Sequence, residues 1–281
     1  MWTIISTIGG ECIIFLSMAD PVVILGCGYT GRRVAERLAR RGIPVIASTR
    51  EPAALSIPGV TAVRFNAEDS DPDFVPDRAR VLYSIPTLEP DPAIRLLAAL
   101  GNRPQRLVYI STTGVYGSTE EVDHTTPPAP NRPYVHARLT TEQAVLAGPW
   151  SSIVLRPAAI YGPDRGIHIS MLEGRFRMAG DGSNYVSRIH VDDLAAICDA
   201  ALWSDLGGAW PVADNRPCTT SEIAEFCSHL FAIPMPPSVD RSLLHDTRRA
   251  NRRVDGRAIL AHLHVTLSFP TYVEGISACA P

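Results

Sequence analysis

Pro21-Val22-Val23-Ile24-Leu25-Gly26-Cys27-Gly28-Tyr29-Thr30-Gly31 is the stretch on which the fold turns. Its first five residues form a short apolar run ending at glycine, the pattern of a strand covered on both faces of a parallel sheet. The period then changes. Val34, Ala35, Leu38 and Ala39 share one face of a helix over Thr30 to Arg41, and Gly42 and Pro44 end it before Val45-Ile46-Ala47-Ser48 starts a second strand. Gly26-x-Gly28-x-x-Gly31 thus stands between a strand and a helix. In that setting the first glycine permits a tight turn, the second lets backbone approach a pyrophosphate, and the third lets helix and strand pack closely. The reading is a dinucleotide-binding turn built by Gly26, Gly28, Tyr29, Thr30 and Gly31, and the plain alternative is an ordinary glycine turn.

Outward from this unit the rhythm repeats. Apolar runs recur at Val60 to Phe65, Val81 to Ser84, Leu107 to Ser111, Ile153 to Leu155 and Ala209 to Val212, with helical patterns at about Ala93 to Leu100, Tyr134 to Leu146 and Val191 to Trp203. Alternation of this kind predicts a doubly wound α/β sheet. After about Gly162 the pattern turns to loops, short helices and isolated strands. Thr219-x-x-Glu222 reads as a capping box in a small helical region running from Pro211 to the end. The expected organisation is a leader over residues 1–20 outside the fold, a nucleotide-binding domain over 21–163 completed by a later strand at about 209–212, and a mixed substrate-side region over 164–281. Met18 before the first strand suggests an upstream start codon or a loosely attached tail for the leader. The leader has no Lys or Arg, so it lacks the positive n-region of a signal peptide.

Composition narrows the function. The 281 residues are 46% hydrophobic and 20% charged, a globular balance. The net charge of −3 gives no basic footprint for nucleic acid. All 26 basic residues are arginine, which excludes catalysis by lysine of any kind. Cys12, Cys27, Cys198, Cys218, Cys227 and Cys279 show no C-x-x-C spacing, and His262 with His264 is a lone pair, so no metal is expected. These features predict a cytoplasmic protein with a small-molecule substrate, without nucleic-acid or membrane partners, and compatible with a homodimer.

The end of the second strand selects the cofactor. An acidic residue there would hold a ribose 2′-hydroxyl, whereas Ala47-Ser48-Thr49-Arg50 offers a hydroxyl and a guanidinium. Thr49 and Arg50, with Arg32 as a helper, favour NADP over NAD. Ser84, in Tyr83-Ser84-Ile85-Pro86 at the end of the fourth strand, should line the cleft, because ligands of such sheets bind at the carboxyl ends of strands.

Two later stretches carry chemistry: Leu107-Val108-Tyr109-Ile110-Ser111-Thr112-Thr113-Gly114-Val115-Tyr116-Gly117 and Tyr134-Val135-His136-Ala137-Arg138-Leu139-Thr140-Thr141-Glu142-Gln143. With Leu155-Arg156-Pro157-Ala158-Ala159-Ile160-Tyr161-Gly162-Pro163 and Arg188-Ile189-His190-Val191-Asp192-Asp193-Leu194-Ala195, the sequence from Val22 onward resembles the short-chain dehydrogenase/reductase superfamily. The likeness is to its extended or atypical branch of NAD(P)-dependent epimerases and dehydratases. The resemblance implies a Rossmann-type doubly wound parallel sheet with a small C-terminal substrate-side region. It also implies an oxidoreductase or epimerase/dehydratase for a small hydroxylated or carbonyl compound, nucleotide-sugar-like ones among them.

Carried over by position, the resemblance makes Thr112 the hydroxyl that bonds the substrate oxygen, with Ser111 as its neighbour at the cofactor. Tyr134 becomes the general acid or base. Arg138 stands where the family has lysine, and a fixed cation one helical turn from a phenol eases loss of its proton. Arginine supplies the charge with a different donor geometry and without joining a proton relay. The alternative function is therefore a non-catalytic NADP-binding regulator with a degenerate site. Of the remaining residues, Arg156 and Arg188 are candidates for anion binding or for structure. One of Asp192 and Asp193 reads as a helix-start carboxylate, Tyr161 as a loop former, and Arg248, Arg249, Arg252 and Arg253 as a solvated helix face.

Overall fold

In the computed structural model, side chains are described for residues 20–68, 71–87, 91–244 and 250–280, and backbone also for 4–8 and 11–15. Strand β1 (Val22–Leu25) is buried along its whole length and feeds two cores by alternation. Val22 and Ile24 join one apolar cluster, whereas Val23 and Leu25 join another. The first cluster takes Val34, Ala35 and Leu38 from helix α1 (Tyr29–Arg40) and Leu194, Ile197 and Ala201 from helix α5 (Val191–Trp203). The second takes Leu96, Leu97 and Leu100 from helix α2 (Ala93–Leu100) and Val145 from helix α3 (Pro133–Ala147). A strand flanked by helices on both faces must be apolar throughout, which is why its sequence is a run rather than an alternation.

The six other runs read from the sequence are the remaining strands of the same sheet. They are β2 (Val45–Thr49), β3 (Val60–Arg64), β4 (Ala79–Tyr83), β5 (Pro104–Ile110), β6 (Ser151–Pro157) and β7 (Ala209–Val212). The sheet order is β7-β6-β5-β4-β1-β2-β3 and every pairing is parallel. This is a Rossmann-type arrangement, and its strand order reverses beside β1, so the cleft at the carboxyl ends opens above the glycine turn. Because β7 and α5 both belong to the sheet's layers, the stretch after residue 163 returns to complete the nucleotide-binding layers before it builds its own helices.

Those helices are α4 (Ile167–Leu172), α6 (Thr220–Phe231), α7 (Arg257–Leu263) and α8 (Tyr272–Ser277). Thr219 caps α6 by accepting from Glu222 N at 3.1 Å, and a reciprocal capping box forms at Thr271 and Glu274. Ile4–Ile8 and Glu11–Phe15 pair antiparallel as a separate two-stranded sheet. Among the described residues no helix is long and apolar enough to cross a membrane.

Candidate functional site

Ser48 builds the glycine turn. Its buried hydroxyl accepts from Gly26 N at 2.9 Å and its carbonyl accepts from Cys27 N at 2.7 Å, so the end of β2 fixes the start of the loop. Gly26 has φ +88°, and a Cβ there would press on Ile85 at 2.8 Å. At Gly31 a Cβ would meet Gly26 O at 2.7 Å, so this glycine permits the close approach of α1 to β1. At Gly28 a Cβ would meet nothing within 4 Å. Gly28 caps α1 without a side-chain bond, and the first turn of α1 holds no acidic residue. An open, uncapped helix start of this kind is a cradle for phosphate, and a dinucleotide pyrophosphate fits the residues present.

The other cofactor candidates surround that cradle. Thr30 and Gly31 are buried in the first turn of α1. The Tyr29 phenol donates to Pro163 O at 2.7 Å, and burial pushes its pKa up to about 12. Ser84 follows β4, and its N–H donates to Leu25 O at 2.8 Å beside the glycine turn. Arg50 is exposed after β2, and Thr49 Oγ1 accepts from Glu51 N at 3.3 Å. Arg32 donates to Ala54 O at 3.2 Å, which draws a second guanidinium to the same loop.

The candidate catalytic residues meet where β5 ends. Thr112 caps a short turn over Thr113–Tyr116, its Oγ1 accepting from Gly114 N at 3.0 Å. That acceptance leaves the Thr112 proton to donate to a substrate oxygen. Pro133 at the first position of α3 presets its entry, and Tyr134 follows with 39% exposure. Arg138, one turn on, donates through Nη1 to Tyr109 OH at 2.9 Å and Ile110 O at 3.3 Å. These bonds pin the helix face bearing Tyr134 to the end of β5, two residues before Thr112. Burial raises the Tyr109 pKa, and the Arg138 guanidinium opposes that rise.

The Ser111 hydroxyl is buried and donates to Glu142 Oε1. Of the two readings of Arg156 the structure shows the structural one: Nη2 lies 2.6 Å from Glu142 Oε2 and Nη1 donates to Tyr116 OH at 3.1 Å. One expectation needs correction: the arginine cluster is not a solvated helix face. Arg253 lies in a strand pair with Glu121, and Arg252 is half-buried, donating to Thr113 O at 2.7 Å, Thr119 O at 3.0 Å and Gly117 O. Arg248 and Arg249 lie outside the described residues.

Helix α5 carries Asp192 and Asp193 in its first turn, in keeping with a helix-start carboxylate. His190 caps it, its Nδ1 accepting from Asp192 N at 3.2 Å, while Asp193 is buried and accepts from Ser268 N and Phe269 N at 2.7 and 3.0 Å. Arg188 donates to Val186 O and to Cys218 Sγ at 3.0 Å inside the C-terminal core, and Tyr161 is buried with its hydroxyl donating to Thr271 O at 3.3 Å.

Glu142 and Ser48 received no role from the sequence, and Arg252 only that of a solvated surface residue. Glu142 had a readable signal, since it lies four residues after Arg138 and hence on the same helix face. Arg252 had none, because its partners are carbonyls more than 130 residues away. No group of three or more His, Cys, Asp or Glu is placed to hold a metal among the described residues.

The sheet order and the glycine turn define the class as a Rossmann-type doubly wound α/β protein, and the later motifs resemble those of the extended short-chain dehydrogenases/reductases. The model of the NAD dependent epimerase/dehydratase family matches residues 92–211. The chain is 29% identical to Protein YeeZ of Escherichia coli strain K12 over 216 residues, which is 66% of this chain and 74% of that protein. A solved structure described as a functionally unknown conserved protein from Silicibacter pomeroyi DSS is 29% identical, with 93% of this chain and 98% of that one covered at a TM-score of 0.80. MoeE5 in complex with UDP-glucose and NAD shares the fold at a TM-score of 0.79 and 18% identity, covering 92% of this chain and 96% of that one.

Proposed function

We propose that the chain is an NADP-dependent oxidoreductase or epimerase/dehydratase acting on a small hydroxylated or carbonyl compound, with nucleotide-sugar-like substrates included. The observation that carries this reading is the placement of Tyr134 and Arg138 on one face of α3, pinned to the strand end that presents Thr112. Gly26 to Gly31 would hold the pyrophosphate, and Arg50 with Arg32 would hold a 2′-phosphate through guanidinium forks. When bound, the nicotinamide supplies hydride donation and acceptance. Thr112 orients the substrate oxygen through its free proton. Tyr134 donates a proton to that oxygen in reduction or removes it in oxidation, and Arg138 places a positive charge one helical turn away.

The regulator reading is favoured by one feature, the engagement of Arg138 Nη1 by two protein acceptors. Two measurements separate the readings. Mass spectrometry of the purified protein identifies a co-purified dinucleotide, and NADPH oxidation is followed against a panel of aldehydes, ketones and UDP-sugars. Turnover of any member that Tyr134→Phe slows supports the enzyme. Tight NADPH binding with turnover unaffected by Tyr134→Phe rejects the catalytic assignment.

A further inference from the structure

A tight turn closes beside the glycine motif. Gly162 N donates to Arg165 O at 2.9 Å and Arg165 N to Gly162 O at 3.1 Å, with Asp164 at φ +64° on the tip. The Tyr29 hydroxyl fastens this turn to the start of α1 through Pro163 O at 2.7 Å. The fit is close, since a Cβ on Gly162 would meet Tyr29 Oη and Val191 Cγ1, each at 2.8 Å. Two guanidinium groups lie against the Tyr29 ring, Arg33 at 5.7 Å and Arg165 at 5.3 Å from its centroid. Arg33 is paired with Asp192 at 3.2 Å. Arg165 is exposed, and its guanidinium has no hydrogen-bond or ion-pair partner among the described residues.

We propose that Arg165 is a further cofactor-binding residue, delivered by the Gly162–Arg165 turn to the pyrophosphate of the dinucleotide, with the Tyr29 hydroxyl as the positioning latch. The inference rests on the dinucleotide reading above. A pyrophosphate on the start of α1 lies beside Gly28, and Tyr29 is the next residue, so the cation stacked on its ring stands at that cradle. The helix end alone offers only about half a unit of positive charge. The chain has no lysine to add, and a guanidinium fork pairs with two phosphate oxygens at once. A pyrophosphate of a nucleotide-sugar substrate has the same chemistry, but the stacking on Tyr29 places Arg165 at the cofactor.

The test is calorimetric titration of the full chain and of Arg165→Ala, Arg165→Lys and Tyr29→Phe with NADPH, NADH and UDP-glucose, with the melting temperature of each variant recorded. The expected result is a loss of about tenfold or more in affinity for NADPH and NADH, by the same factor, in Arg165→Ala. Arg165→Lys recovers most of it, and Tyr29→Phe loses a few-fold with its ring stacking retained. An Arg165→Ala protein that binds both dinucleotides within twofold of the parent overturns the proposal. So does a loss confined to NADPH, which would mark the 2′-phosphate, or a loss confined to UDP-glucose, which would mark the substrate. A parent chain that binds neither dinucleotide removes the dinucleotide reading itself, and this inference with it.

Discussion

Arg156 Nη2 and Glu142 Oε2 stand 2.6 Å apart, with only 7% and 1% of their side chains exposed. Glu142 also accepts from the Ser111 hydroxyl, and Arg156 donates to the Tyr116 hydroxyl. The pair therefore ties down both ends of the segment that presents Thr112. It anchors that segment to α3, the helix of Tyr134 and Arg138. A buried ion pair of this kind contributes geometry more than net stability.

Removing one partner should accordingly be costly. Glu142→Leu or Arg156→Met alone leaves an uncompensated buried charge and should destabilise the fold by about 3–5 kcal/mol, whereas the double variant should recover most of that. Urea denaturation of the three proteins measures it. Additive losses in the double variant would show that the two side chains do not act as a pair.

Gly28 and Gly31 should separate binding from folding. A valine at Gly28 enters open space, so Gly28→Val should keep the parent's melting temperature while abolishing dinucleotide binding. A side chain at Gly31 strikes the Gly26 carbonyl, so Gly31→Val should lower the melting temperature whether or not cofactor is present. Thermal melts with and without NADPH check both, and equal behaviour of the two variants would contradict the assignment.

How legible these features were depended on how local their causes are. All seven sheet strands were readable because each is a short apolar run between glycine, proline or helical signals. The glycine turn was readable because its residues act through backbone. The bond from the Ser111 hydroxyl to Glu142 was not legible, because the likeness located Ser111 beside Thr112 but said nothing of the carboxylate beneath it. Arg252 and Arg253 were misread because charge clustering carries no information about which carbonyls a distant loop must satisfy. The Tyr29 latch was hidden for the same reason, since Pro163 lies 134 residues away.

Arg50 tests the cofactor preference. Arg50→Ala should weaken NADPH by roughly tenfold and leave NADH nearly unchanged, since the guanidinium would serve the 2′-phosphate alone. Titration with both cofactors reads the ratio, and equal losses would reject the 2′-phosphate role.

Asp214 gives a pH signature. It is buried with Oδ2 unpartnered among the described residues, and burial pushes its carboxyl up to about 7, opposed by the Arg216 backbone N–H and Arg188 and reinforced by Asp193 and Glu274. The folded form thus holds a proton that the unfolded form releases near pH 4. Stability from this group is complete below about pH 4 and is lost as pH rises through about 7. Asp214→Asn should remove that loss and raise the melting temperature at pH 8 relative to the parent. The buried His168 and His190, whose pKa values burial lowers, slope the opposite way in both proteins and cancel in the comparison. A parent-minus-variant difference that does not change between pH 4 and 8 would refute it.

Tyr134 and Arg138 decide whether the site turns over. Tyr134 is exposed in the first turn of α3, one turn from a guanidinium that Tyr109 and Ile110 hold in place. If the phenol handles the substrate proton, Tyr134→Phe should cost on the order of 10²-fold in kcat while leaving NADPH affinity unchanged, the usual size of an acid–base contribution. Arg138→Lys keeps the charge and should retain turnover. Arg138→Met removes both the charge and the bonds to β5, so it should lower kcat further than the lysine variant does. A third variant, Tyr109→Phe, removes one anchor of Arg138 and keeps the charge, so it separates position from electrostatics. If kcat falls in Arg138→Met but not in Tyr109→Phe, the charge is what matters. If the two fall alike, the guanidinium works by being held in place. The measurement is steady-state kinetics with whichever carbonyl compound of the panel reacts, and an unchanged kcat in Tyr134→Phe would reduce the tyrosine to an ordinary residue of the helix start.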